Sequence, residues 1–173
     1  TWFVPHDPRG LMELMGRDRF LAQLEEMFER TPENYFWNPY YNHSNEPVHQ
    51  LPYIFPYAGA PWLTQKWVRH IMQNAYGLGP EGLCGNEDIG QMSAWFLLSA
   101  MGIHPFCTGS NIFIIGSPLF PEIEIDLSPA YHRGKTLRIV AHNNGPENIY
   151  IQSARLNGQS FDRAWITYEQ LTA

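Results

Sequence analysis

Lysine is nearly absent from this chain. Two lysines and nine arginines face 17 acidic residues, no basic run exceeds two residues, and the net charge is -6, which excludes a nucleic-acid partner or an anionic membrane surface. Charge of either sign is also scarce: 16% of residues are charged and 44% hydrophobic, so the chain is a folding one rather than a disordered one. No apolar run approaches the roughly 18 residues of a membrane span. The opening TWFVPHDPRG lacks the basic flank and apolar stretch of a signal peptide. Cysteine is limited to Cys84 and Cys107, separated by 22 residues. That spacing fits neither a zinc site nor a redox CxxC pair, so free, buried thiols are expected, with a disulfide as the alternative for an exported protein.

The aromatics, glycines and prolines are what the chain has in quantity. Six Trp, nine Tyr, 14 Gly and 14 Pro stand among 173 residues, a length that builds one sizeable core. Such a mixture suits a carbohydrate site, where sugar rings lie on indole faces, and equally an aromatic-rich core. Trp62, Trp67 and Trp95 are the platform candidates; Trp67 and Trp95 lie on apolar helix faces and read as core.

The first two-thirds of the chain reads as helices joined by Pro-rich loops. Phe20, Leu21, Leu24, Met27 and Phe28 form one helical stripe between Arg17 and Arg30. Prolines at 39, 47, 52, 56 and 61 break the following stretch into short turns. Thr64 is the expected cap of a second helix ending near Gly77, and a third runs from about Asp88 through Gly102, with Pro105 as its stop. From about Ile112 the period changes: IFIIG, EIEIDL, KTLRIVAH, NIYIQSARL and FDRAWITY read as strands. Helices first and strands afterwards predicts separate α and β regions, 1–110 and 111–173. The chain opens on Trp2-Phe3-Val4 with no polar lead and closes where another strand is expected, so it reads as a piece of something larger.

Three polar loops carry the candidate chemistry. In Asn45-Glu46-Pro47 an amide and a carboxylate stand together, with Pro47 expected to hold Glu46 extended. Hard oxygens in a loop suit Ca2+, and helix capping explains the same pair. Asn86, Glu87 and Asp88 lie between glycines at a helix entry. Capping accounts for one of those acids, while a second is free to hold a water and take its proton, as glycoside hydrolysis requires of its base. His6 and Asp7 either cap the turn before Arg9 or contact a sugar hydroxyl. Ser93 lacks a glycine elbow and neither cysteine has an evident His partner, which leaves covalent nucleophiles without support.

The segments FVPHD, HSNEP followed by Pro52-Tyr53, TQKWVRHI, GLCGNEDIGQMSAW, SAMGIHPF and IGSPLF resemble, in order, motifs of the glycoside hydrolase family 92 exo-α-mannosidases, from Thr1 to about Asn157. The resemblance implies a calcium-dependent enzyme that removes terminal α-mannose from glycans with inversion. It also implies an N-terminal β-sandwich and an (α/α)6 barrel, of which this chain would be the last part with the antiparallel β-strands that follow. Its partners would be a mannose-containing glycan and the rest of that enzyme, with a periplasmic, cell-envelope or secreted location. By resemblance, Asn45 and Glu46 are metal ligands, Asp88 is the base with Glu87 beside it, and His6, Asp7, His43, Ser44 and Asn86 contact substrate.

Three features depart from the family pattern. The family's general acid, a Glu just before the WxVPHD-like motif, would precede Thr1, so this chain alone is expected to be inactive. Asn86 replaces the first Asp of an Asp-x-Asp loop, and Ser44 stands where α-1,2-cleaving members carry Glu, leaving linkage open and room for a bulkier or charged aglycone. The competing expectation is a non-catalytic carbohydrate-binding or scaffold module that keeps these loops without turnover.

Overall fold

The computed structural model describes residues 2–173. A helical region comes first. Helix α1 (Pro8–Met15) and helix α2 (Arg17–Glu29) meet at Gly16, whose φ of 79° turns the chain between them. The α2 stripe buries Phe20, Leu24 and Phe28, as its spacing predicts. Helix α1 is an addition to the sequence reading: Asp7 accepts from the Gly10 amide at 2.9 Å and Pro8 takes the first helical position, a capped start that needs no apolar stripe.

The Pro-rich stretch folds into three 3-10 turns, Glu46–Val48, Leu51–Tyr53 and Phe55–Ala58. Each carries Pro in its first two positions, where a missing N–H costs nothing. Glu46 therefore opens a helical turn instead of lying extended, and the extended conformation falls on Asn45 (φ -132°, ψ 117°). Helix α3 (Pro61–Asn74) also begins on a proline. Its N-cap is Ala60, and Thr64, expected as the cap, sits inside the helix, buried, with its hydroxyl unpartnered. Helix α4 (Gln91–Met101) stops at Gly102 (φ 82°, ψ 19°), which ends it before Pro105 is reached.

All strand pairing is antiparallel, as expected. Strands β1 (Ile103–Pro105), β2 (Ile112–Ile115) and β7 (Trp165–Thr167) make one sheet in the order β1-β2-β7. Strand β1 lies ahead of the expected change of period and pairs Ile103 with Ile115. Strands β3 (Glu122–Asp126) and β4 (Thr136–Val140) form a ribbon, and β5 (Ala154–Leu156) and β6 (Gln159–Phe161) form a hairpin. Asn157 and Gly158 turn that hairpin with φ of 49° and 80°. Of the NIYIQSARL run only Ala154–Leu156 is a strand, because Ile151 is drawn aside to donate its amide to Gln65 on α3 at 3.0 Å. A four-residue helix α5 (Tyr168–Leu171), held by a capping box on Thr167, closes the described chain.

The core is aromatic and lies mainly in the helical region. Phe28 stacks on Trp67 at 5.2 Å, and the fully buried Trp95 stacks on Tyr76 at 5.8 Å. Trp67 and Trp95 are thus core, and only Trp62 is exposed among the three platform candidates. Arg69, buried on α3, joins this core to the strands: it donates through Nε to Ser117 Oγ (3.1 Å) and through Nη2 to the Pro118 carbonyl and the Asn144 side chain. Cys84 and Cys107 are free and half-buried, and burial raises the Cys84 thiol to about 11.

Candidate active site

The HSNEP loop and the acidic loop are packed directly against each other. A side chain on Gly85 would put its Cβ 2.6 Å from both the Cβ and the carbonyl oxygen of Ser44, so only glycine allows this approach. Gly85 thus makes room for the neighbouring loop. At its base the acidic loop is pinned by Cys84 N–H to the Ala75 carbonyl (3.1 Å) and by the Tyr76–Leu83 bridge.

This packing brings the exposed carboxyls of Glu46 and Asp88 together, across 42 residues of chain. Hydrogen bonding to Glu46 is the first cause holding the Asp88 carboxyl above the usual carboxylate range; loss of hydration and the charge of Glu46 add to it, and nearby His49 opposes it. Asp88 sits on unusual backbone: Asp88, Ile89 and Gly90 take φ of 51°, 58° and 88° in succession. For β-branched Ile89 this is a costly conformation, and its side chain is fully exposed beside the carboxyl pair. The turn lifts Asp88 out of the start of α4.

Glu87 points the other way. Its Oε1 accepts from the Ser93 amide at 3.1 Å and its Oε2 from the Ser93 hydroxyl at 3.0 Å, so it fastens the N-terminal turn of α4. The structure thus separates the two adjacent acids, one bound to the helix end and one presented at the surface. Asn86 is exposed on the same loop and Asn45 half-buried beside Glu46. The Ser44 hydroxyl is turned onto Asn42 Oδ1 at 2.5 Å.

His43, expected at the sugar, is fully buried. Its Nδ1 meets the Tyr41 hydroxyl at 2.7 Å and its Nε2 the Tyr76 hydroxyl at 2.8 Å, and Tyr76 donates onward to the Met92 carbonyl at 3.1 Å. Burial first, then neighbouring His49 and His104, depresses its pKa. The correction has a packing reason: both ring nitrogens are used inside an aromatic cage with Trp95 at 4.4 Å, so His43 braces the loop from beneath. His49, not singled out in the sequence, and Trp95, read there as core, complete this floor, the Trp95 indole donating to the His49 carbonyl at 2.9 Å.

His6 and Asp7 stand together just before α1. Both line an open cleft of about 520 Å³ with Val4, Leu11 and Glu13, a lining that includes neither Glu46 nor Asp88, and Asp7 is engaged as the cap of α1. Among the described residues no group of three or more His, Cys, Asp or Glu gathers around a single metal position. No helix among them is long and apolar enough to cross a membrane.

A helical scaffold that presents paired carboxyls beside a loop of hard oxygens is the architecture of a carboxylate-based site, and comparison with known proteins gives it a family. The chain matches the model of the glycosyl hydrolase family 92 catalytic domain over residues 1–173, and it belongs to that family. It is 37% identical to a family GH92 alpha-mannosidase from Bacteroides thetaiotaomicron, superposing with a TM-score of 0.88 over 99% of this chain and 22% of that one. A family GH92 inverting mannosidase from the same organism is 38% identical, with a TM-score of 0.84 over 98% of this chain and 25% of that one. An uncharacterized secreted glycosidase of Arthroderma benhamiae is 32% identical over 169 residues, 97% of this chain and 21% of the relative. The chain thus spans about a fifth to a quarter of the length of these relatives.

Proposed function

We propose that this chain is the part of a calcium-assisted, inverting exo-α-mannosidase that carries the water-activating base and part of the calcium site. Family membership supports the reaction class, and the observation that carries the residue assignment is the meeting of Glu46 and Asp88. Asp88 is the base: its carboxyl is exposed and not engaged by the helix end, so it is open to a water. It takes the proton from a water aimed at the anomeric carbon. Glu87 keeps the Asp88 turn anchored through Ser93.

Two facing carboxyls beside an amide, in water, are a hard-oxygen donor set that a divalent cation would relieve of its mutual repulsion, so the residues present fit calcium. Asn45 and Glu46 would hold it, with further oxygens from water, substrate and the rest of the enzyme. Bound there, calcium would coordinate mannose hydroxyls and favour a flattened ring. Ser44, Asn86, His6 and Asp7 are assigned to substrate, with His43 acting on it through the loop it braces.

The reading includes an acid from elsewhere in the catalytic domain, since an inverting enzyme needs a second carboxyl about 6.5 to 9.5 Å from the base. Residues 1–110 belong to the (α/α)6 barrel, residues 111–173 form the strand region that follows it, and the remaining barrel helices and an N-terminal β-sandwich complete the enzyme. A periplasmic, cell-envelope or secreted location is supported by the relative named as secreted.

The test is hydrolysis of an aryl α-mannoside by the full-length enzyme, with the anomer formed first read by proton NMR. β-Mannose, loss of activity on chelation and recovery with calcium are expected, with the isolated 173-residue chain inactive. Full activity after exhaustive chelation, or α-mannose as first product, would overturn the assignment. Mannose binding by the full-length protein without turnover would make it a carbohydrate-binding module.

A further inference from the structure

Glu46 and Asp88 are each followed, three residues later, by a side chain that meets its counterpart: His49 and Gln91 are joined at 3.2 Å between Nδ1 and Nε2. His49 Nε2 lies 3.0 Å from the His43 carbonyl, which only accepts, so Nε2 carries the proton and Nδ1 is a lone pair. Gln91 must then donate through Nε2, which also fixes which way its amide points. The Trp95 indole, one turn along α4 from Gln91, donates to the His49 carbonyl. His49 is buried and both of its ring nitrogens are used, so the ring has no lone pair left for a metal or a sugar.

The geometry points to His49 and Gln91 as positioning residues: their hydrogen bond sets the separation of Glu46 and Asp88, and with it calcium affinity and the aim of the base. This rests on the calcium-assisted reading above. The carboxyls repel each other at the surface, and what opposes that repulsion from below is a neutral bond between the next turns of the same two segments. Gly85 sets how close the loops come; the His49–Gln91 bond sets their register along each other. Such supporting hydrogen bonds are worth about ten- to a hundred-fold in metal affinity or activity.

The experiment uses the full-length enzyme, with calcium titrated calorimetrically and melting followed in EGTA. Gln91→Met keeps the length of the half-buried side chain and removes its donor. Calcium Kd should rise about ten-fold and kcat fall by a similar factor, while the calcium-free melting temperature stays within about 2 °C of wild type. In a cycle with His49→Asn, the double variant should be no worse than the worse single. Wild-type calcium affinity and kcat in folded Gln91→Met, or losses that multiply in the double variant, would overturn the proposal. If His49→Asn does not fold, calcium affinity of Gln91→Met alone decides. A wild-type enzyme that neither binds calcium nor cleaves an α-mannoside sinks the function reading and this proposal with it; an active, calcium-binding wild type beside an unaffected Gln91→Met sinks this proposal alone.

Discussion

The two ends of the chain are built by opposite means. The region through Phe106 holds nearly all the fully buried apolar side chains, packed around Trp95 and Trp67, whereas the strand region adds only Ile114 and Ile166 to them. In the β3–β4 ribbon no residue is fully buried: exposed and half-buried positions alternate on both strands. The helical part makes its own core; the ribbon presents an apolar face, with Ile123, Ile125, Leu137 and Ile139 in register, that the described residues only half cover. A site that needs fixed carboxyls therefore sits on the part with a dense, hydrogen-bonded aromatic floor.

Breaking the site without disturbing its floor gives the largest effect. Asp88→Asn should lower kcat of the full-length enzyme by about 10²–10⁴-fold with unchanged melting, measured on an aryl α-mannoside; wild-type turnover would remove Asp88 as the base. The joint between the two regions comes next. Arg69→Met leaves the Ser117, Pro118 and Asn144 acceptors without their buried donor, at a cost of about 3 kcal/mol. Thermal melting should show it directly, and amide exchange should rise first in residues 117–151. Protection lost equally across the helical core would mean that the two regions are not separable.

A smaller effect follows from the floor itself. Burial holds His43 and His49 below their ordinary pKa and His104 down to about 4. The unfolded chain binds these protons from about pH 6.5 downward, so the fold's preference for neutral rings is fully expressed above that pH. It is lost progressively as pH falls toward 4. The melting temperature should drop by about 5 °C or more between pH 7 and pH 5; a flat profile would show that these rings are hydrated. The least effect belongs to the ribbon's surface pair. Arg138 and Glu122 meet at 2.6 Å but both are exposed, so Glu122→Gln should leave the melting curve unchanged.

The sequence was legible wherever a local rule was also the winning rule. The stripe from Phe20 to Phe28 placed α2 to within a residue of its end, and the period change placed β2, β3 and β4. The true start of α3 was missed because Pro61, read as a breaker, is an opener, and helix α1, which opens on Pro8, was read only as a turn before Arg9. The carboxyl pair was legible only as two separate polar loops: nothing in the spacing of residues 46 and 88 joins them, and the glycine that lets them touch looks like any loop glycine. His43 was misplaced because its neighbours in sequence are polar, while those in space are Tyr41, Tyr76 and Trp95.

The contact between Gly85 and Ser44 also bears on how enzymes of this kind can be re-engineered. Segments 42–46 and 84–88 have no slack between them, so neither is an interchangeable cassette. A graft that imports one from a relative of different linkage preference carries a surface shaped for a companion left behind. Exchanging the two as a matched set would keep that contact intact.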